Sequence, residues 1–192
     1  MRFNRSIILV AACAAAVLAL PVRSQAPLAD DTHENEGDGR VVKGFAIAPV
    51  PLNLQGRNRP LVGLGSYLVN AVGGCNDCHT HPNFAAGGDP YQGQPTQINT
   101  ANYLAGGRQF GPFVSRNLTP EAPSGRPAGL TLAQFTDVLR NGTDYDNLHP
   151  QISPLLQVMP WPVYHNLTDH DIRAIYEFLS AIPHAETGPV GP

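Results

Sequence analysis

The chain has little cysteine, little basic charge and no long apolar run, and each shortage removes a class of protein. Three cysteines stand in 192 residues, at positions 13, 75 and 78. No second ligand pair stands at finger-like spacing, so zinc is not supported. Lys and Arg total 12 against 15 Asp and Glu, a net charge of −3, which excludes a polybasic nucleic-acid role. The longest apolar run, Ile7–Leu20, has 14 residues, short of the ~20 that a membrane-spanning helix needs. Methionine occurs twice and tryptophan once. No segment repeats another.

The apolar run instead completes a secretory signal over residues 1–26. Arg2 and Arg5 give the charged start and Ser24-Gln25-Ala26 a small-x-small cleavage site. Cleavage near Ala26 would deliver a periplasmic chain with no transmembrane span. Cys13 would leave with the signal. Val10-Ala-Ala-Cys13 has the look of a lipobox, but the apolar run continues past Cys13 to Leu20, which argues against lipidation. The remaining 166 residues hold nine basic and 15 acidic side chains. They suffice for one domain with its own core. An acidic chain of this kind is steered toward basic docking patches on a partner.

The decisive motif is Cys75-Asn-Asp-Cys78-His79. C-x-x-C-H is the attachment site for c-type haem. Two thiols three positions apart can add to the two vinyl groups of one porphyrin, and His79 then offers its imidazole to the iron as proximal ligand. A redox-active disulfide between Cys75 and Cys78 is the competing use of the pair, but no βαβ surround for a thioredoxin-like site is visible.

Residues 27–59 read as an N-terminal extension, partly disordered. Asp30, Asp31, Glu34, Glu36 and Asp38 cluster in it without a basic residue among them. Val41–Leu54 is more apolar and is expected to lie extended, with Pro49 and Pro51 keeping it out of a helix. Helices are predicted over Pro60–Val72, Thr131–Gly142 and Thr168–Ile182 from apolar spacing and caps. Residues 82–130 hold eight Gly and seven Pro among 49 positions and are expected to be a loop packed by its aromatic residues. The fold class is therefore all-α: about three core helices around one haem, with long Gly/Pro-rich loops. The haem domain is placed at residues 60–183 and a polar C-terminal tail at 184–192.

The sixth position on the iron decides function. A second strong ligand favours electron transfer, and an open site favours gas or peroxide chemistry. Met159 is the one methionine beyond the signal, 80 residues after His79. Pro160 and Pro162 are expected to hold its loop extended and aim the thioether inward, with the Trp161 indole N–H reaching a haem propionate. Met159 as a gap-filling core residue is the alternative. His149 and His165 flank the same loop as rival ligands.

Taken together, Gly65-Ser-Tyr-Leu68, Gly74–Thr80, Phe113-Val-Ser-Arg-Asn-Leu-Thr-Pro120, Leu132–Asn141, Met159-Pro-Trp-Pro and Asn166–Ile175 resemble class I, Met/His-ligated monohaem cytochromes c. More narrowly, they resemble the haem modules in cytochrome c subunits of bacterial membrane-bound alcohol and sugar dehydrogenases. The resemblance implies the cytochrome c fold, with the first and last helices crossing near Gly65 and Tyr176. It assigns Cys75 and Cys78 to thioether bonds with one covalent haem c, and His79 and Met159 to the iron. It sets the Ser115–Thr119 loop near the haem, with Arg116 or Asn117 in reach of a propionate; the alternative for Arg116 is a salt-bridged or solvated surface side chain. It implies an electron carrier, not an enzyme, relaying electrons from a dehydrogenase donor to a respiratory acceptor. Where those subunits string three haem modules together, this chain carries one motif, and Ala185–Pro192 stands where they have a membrane-binding segment. The alternatives are a haem enzyme or gas/peroxide sensor with an open sixth position, and a haem-free dithiol oxidoreductase.

Overall fold

Helix α1 (Gly39–Ile47) begins where Asp38 accepts the backbone N–H of Arg40 at 2.8 Å. The computed structural model describes residues 38–192; the signal at 1–26 and the acidic residues before Asp38 lie outside the described residues. The expectation that Val41–Leu54 is extended fails for its first half. Val41 is fully buried on α1 and Phe45 packs on the core. The chain becomes extended only at Ala48, just before Pro49, because proline disfavours helix at the residue preceding it. Proline therefore sets the end of a helix and does not prevent one.

Helix α2 (Arg59–Tyr67) is capped by Asn58, whose side chain accepts the Leu61 N–H at 3.2 Å, and Pro60 sits in its first turn. Two glycines let it pack on two sides. A Cβ on Gly63 would crowd Val41 and Phe45 of α1, and one on Gly65 would overlap the Ala174 carbonyl of the last helix. Ser66, fully buried, donates to the Gly44 carbonyl at 2.7 Å and pins α1 to α2. The helix then widens into one π-helical turn, Leu68–Val72, closed by Gly73 N–H to Leu68 O at 2.7 Å. Such turns are frequent at functional sites, and this one delivers the chain to Cys75.

Residues 82–130 form the expected ordered loop. It contains two 3-10 turns and a small antiparallel hairpin, β1 (Gln109–Phe110) with β2 (Phe113–Val114). Tyr103 and Leu104 are buried, whereas Tyr91 is exposed. Among the described residues these are the only strands, so the architecture is helical.

Numbering the short helix at the C-x-x-C-H motif as α3 (Cys75–His79), the next is α4 (Leu132–Asn141). It opens on a Thr131/Gln134 capping box and stops at Gly142, whose left-handed φ of 70° suits glycine. After a helical turn α5 (Trp161–Tyr164), helix α6 (Asp169–Ala181) opens on the Thr168/Asp171 capping box and crosses α2. Gly65 meets Ala174 and Phe178 there. Tyr176 faces elsewhere: its ring packs edge-on against Phe135 with centroids 5.6 Å apart, and its hydroxyl donates to Leu130 O.

Residues 185–191 are hydrogen-bonded to the loop at 105–119. Gly188 N–H donates to Ala105 O, Gln109 N–H to Gly191 O and Gly191 N–H to Gly107 O. Asn117 and Thr119 side chains donate to Ala185 O. No described helix is long and apolar enough to cross a membrane.

Candidate haem-attachment site

Gly73 and Gly74 end the π-helical turn and start α3, with Gly74 at φ +58°. On this single turn Cys75 and Cys78 are both partly exposed and free. Burial pushes the Cys75 thiol up to about 12, and burial, then Asp77, raises the Cys78 thiol. A dithiol oxidoreductase needs the opposite shift, toward the thiolate.

The C-terminus of α3 is tied to the loop at 103–106. Thr80, buried, donates to Asn76 Oδ1 at 2.7 Å and accepts the Leu104 N–H at 2.9 Å, and Gly106 N–H donates to His79 O at 2.7 Å. Arg108 donates to the Asp77 carbonyl and to Asn83. Around this frame the His79 ring is fixed. Its Nδ1 lies 2.7 Å from the Arg116 carbonyl. A carbonyl only accepts, so Nδ1 carries the proton and Nε2 keeps its lone pair. Burial lowers the pKa of His79 more than the Arg116 carbonyl raises it, which favours the neutral imidazole that binds metal. Two thiols on one turn, backbone glycines beside them and a histidine with an oriented, available Nε2 are the donor set that haem c requires.

Met159 is partly buried and packs on the main core, as do Cys75, Leu68 and Tyr164. The loop around it is not extended. Trp161 N–H donates to Met159 O at 2.8 Å across Pro160, whose φ −78°, ψ 50° is that of an inverse γ-turn, and helix α5 follows at once. Pro162 lies in the first turn of α5, where no N–H is needed. The Trp161 indole donates to Leu156 O, not outward to a propionate. Tyr164 closes the segment on the haem motif by donating to Gly73 O at 2.9 Å. His149 packs edge-on against Phe113, and His165 donates to the Arg140 carbonyl at 2.6 Å. Arg140 in turn binds the His165 and Leu167 carbonyls and Asp169, joining α4 to the start of α6.

Arg116 forms an ion pair with Asp146 at 2.8 Å through its guanidinium. The partner it provides for His79 is a main-chain atom, which no residue type announces.

No family model matches the chain, and no solved structure does. Curated relatives do. The fructose dehydrogenase cytochrome subunit of Gluconobacter japonicus is 31% identical over 141 residues, 73% of this chain and 24% of that protein. The quinone-type alcohol dehydrogenase cytochrome c subunit of Gluconobacter oxydans is 32% identical over 134 residues, 70% of this chain and 24% of its own length. The corresponding cytochrome c subunit of Gluconacetobacter polyoxogenes is 28% identical over 138 residues, 72% of this chain and 24% of that protein. The chain is thus a homologue of the cytochrome c subunits of bacterial fructose and alcohol dehydrogenases. It spans about a quarter of the length of those relatives.

Proposed function

We propose that this chain is a periplasmic electron-transfer protein with one covalent haem c, held by thioethers at Cys75 and Cys78 and ligated by His79 and Met159. In this reading residues 1–26 direct export and residues 60–183 form a haem module of the cytochrome c fold. The electrons pass from a dehydrogenase to the respiratory chain. The observation that carries the reading is the 2.7 Å approach of His79 Nδ1 to the Arg116 carbonyl within a C-x-x-C-H turn. The homology to dehydrogenase cytochrome subunits supports the choice of partner.

When bound, haem supplies the one-electron couple. The chain's own residues hold and orient it. The Arg116 carbonyl fixes the tautomer of His79 and makes its ring a stronger donor. The Tyr164–Gly73 hydrogen bond holds the Met159 segment against the turn before Cys75. No side chain is assigned to bond making or breaking on an organic substrate.

The test is spectroscopic. Exported protein should give a pyridine haemochrome equivalent to one haem c per chain. The oxidised form should show the near-infrared band of methionine-to-ferric charge transfer, and Met159→Ala should abolish it. Persistence of that band in the variant, or fast carbon monoxide binding by the reduced parent at neutral pH, would remove Met159 from the iron and favour the open-site alternative. Colourless exported protein would remove haem altogether.

A further inference from the structure

Arg116 is held at both ends. Its carbonyl accepts the His79 ring proton at 2.7 Å. Its guanidinium pairs with Asp146 at 2.8 Å and donates to Ala128 O at 3.0 Å. The loop is bracketed on either side of it: Gly107 N–H donates to Ser115 O, and Leu118 N–H donates to Leu104 O. Asn117 bonds the Thr119 N–H and Ala185 O. The peptide that touches His79 is thus anchored through the Arg116 side chain as well as through its neighbours.

Asp146 brings in a second part of the molecule. It lies on the segment that leaves α4 at Gly142 and leads to Met159. That segment is folded back on itself by Asp144 N–H to Pro154 O and Leu156 N–H to Gly142 O. The Arg116–Asp146 pair therefore joins the loop behind the proximal histidine to the segment carrying the sixth-ligand candidate. Both side chains are partly exposed, 32% for Arg116 and 41% for Asp146, so the pair is open to screening by salt.

We infer that Arg116 is a positioning residue: its ion pair with Asp146 fixes the carbonyl that orients His79 and couples the proximal ring to the Met159 segment. The inference rests on the haem reading above for its meaning. Its readout is a property of the chain itself, the solvent exchange of the His79 Nδ1 proton.

That proton can be followed by nitrogen-edited NMR in the reduced full-length mature protein. Its solvent exchange should be about two- to fivefold faster in Asp146→Asn and in Arg116→Gln, the range expected for loss of a partly exposed ion pair. The double variant should be no faster than the faster single, since the two changes break one contact. Arg116→Lys, which keeps a charge for Asp146, should lie between parent and Arg116→Gln. In the unmutated protein, raising salt from about 0.02 to about 0.5 M should accelerate the same exchange, with the buried Val62 backbone N–H, which donates to Asn58 O, as internal reference. The salt arm decides the matter if a variant does not fold. Exchange at His79 that is unmoved by Asp146→Asn and by salt overturns the inference, even if Asp146→Asn lowers the melting temperature. A preparation without haem refutes the functional reading, and His79 exchange in it still decides the role of Arg116.

Discussion

The Tyr164 hydroxyl donates to the Gly73 carbonyl at 2.9 Å, joining residues 91 positions apart. One end lies five residues after Met159 and the other two before Cys75. The bond therefore spans the two chain segments that must face each other if a haem sits between a methionine and a histidine. Tyr164→Phe deletes the donor and leaves the partly buried Gly73 carbonyl without it. We expect a loss of about 0.5–1.5 kcal/mol in unfolding free energy, measured by denaturant titration, and a weakened near-infrared band.

Helix crossing is set by glycine. In Gly65→Ala the new Cβ would run into the Ala174 carbonyl and the Phe178 side chain, and backbone cannot yield as a side-chain tip does. Separation of α2 from α6 should cost about 1–3 kcal/mol or more and appear as a lower melting temperature. Gly39→Ala is the contrast. Nothing lies within 4 Å of its Cβ position, and alanine favours helix over glycine, so α1 should gain up to about 1 kcal/mol.

His184 should make stability depend on pH. The Pro120 carbonyl, then Glu186, raise its pKa above the ordinary 6.5. The folded state binds this proton more tightly than the unfolded state. The resulting stabilisation is complete below about pH 6.5 and disappears as pH rises through the folded-state value. NMR titration should place the His184 midpoint above 6.5, and His184→Gln should flatten the unfolding midpoint between about pH 6 and 8.

In the proposed haem c, each thioether should have its own optical signature. Cys75→Ser leaves one vinyl group unsaturated, which extends the porphyrin conjugation, so the haemochrome α-band should move to longer wavelength. An unshifted band at full haem content would show that Cys75 is not a site of attachment.

Helices α4 and α6 are legible in the sequence because both carry an apolar stripe between strong signals: a threonine cap in front, and Gly142 or Pro183 behind. Helix α1 is not. Its cap, Asp38, is hidden among other acids, and Gly39 and Gly44 lower its propensity. Packing of Gly44 against the Gly63 backbone overrides that propensity, a gain that belongs to the tertiary structure. At the proposed site, the spacing of Cys75, Cys78 and His79 is what suggests haem attachment. The Arg116 carbonyl gives no such signal, since every residue has one. Pro160 and Pro162 read as stiffeners of an extended loop. In fact they form a tight turn and open a helix, because the same fixed φ suits all three conformations.

The lacing of residues 185–191 onto the loop behind His79 bears on how the protein is handled. Proteolytic removal of this stretch would free the amide of Gln109 and strip Asn117, next to the residue whose carbonyl meets the imidazole, of its Ala185 partner. Batches cut within it would share every signature residue yet differ in how firmly that loop is held. Mass spectrometry across residues 185–191 is the quality check such material needs.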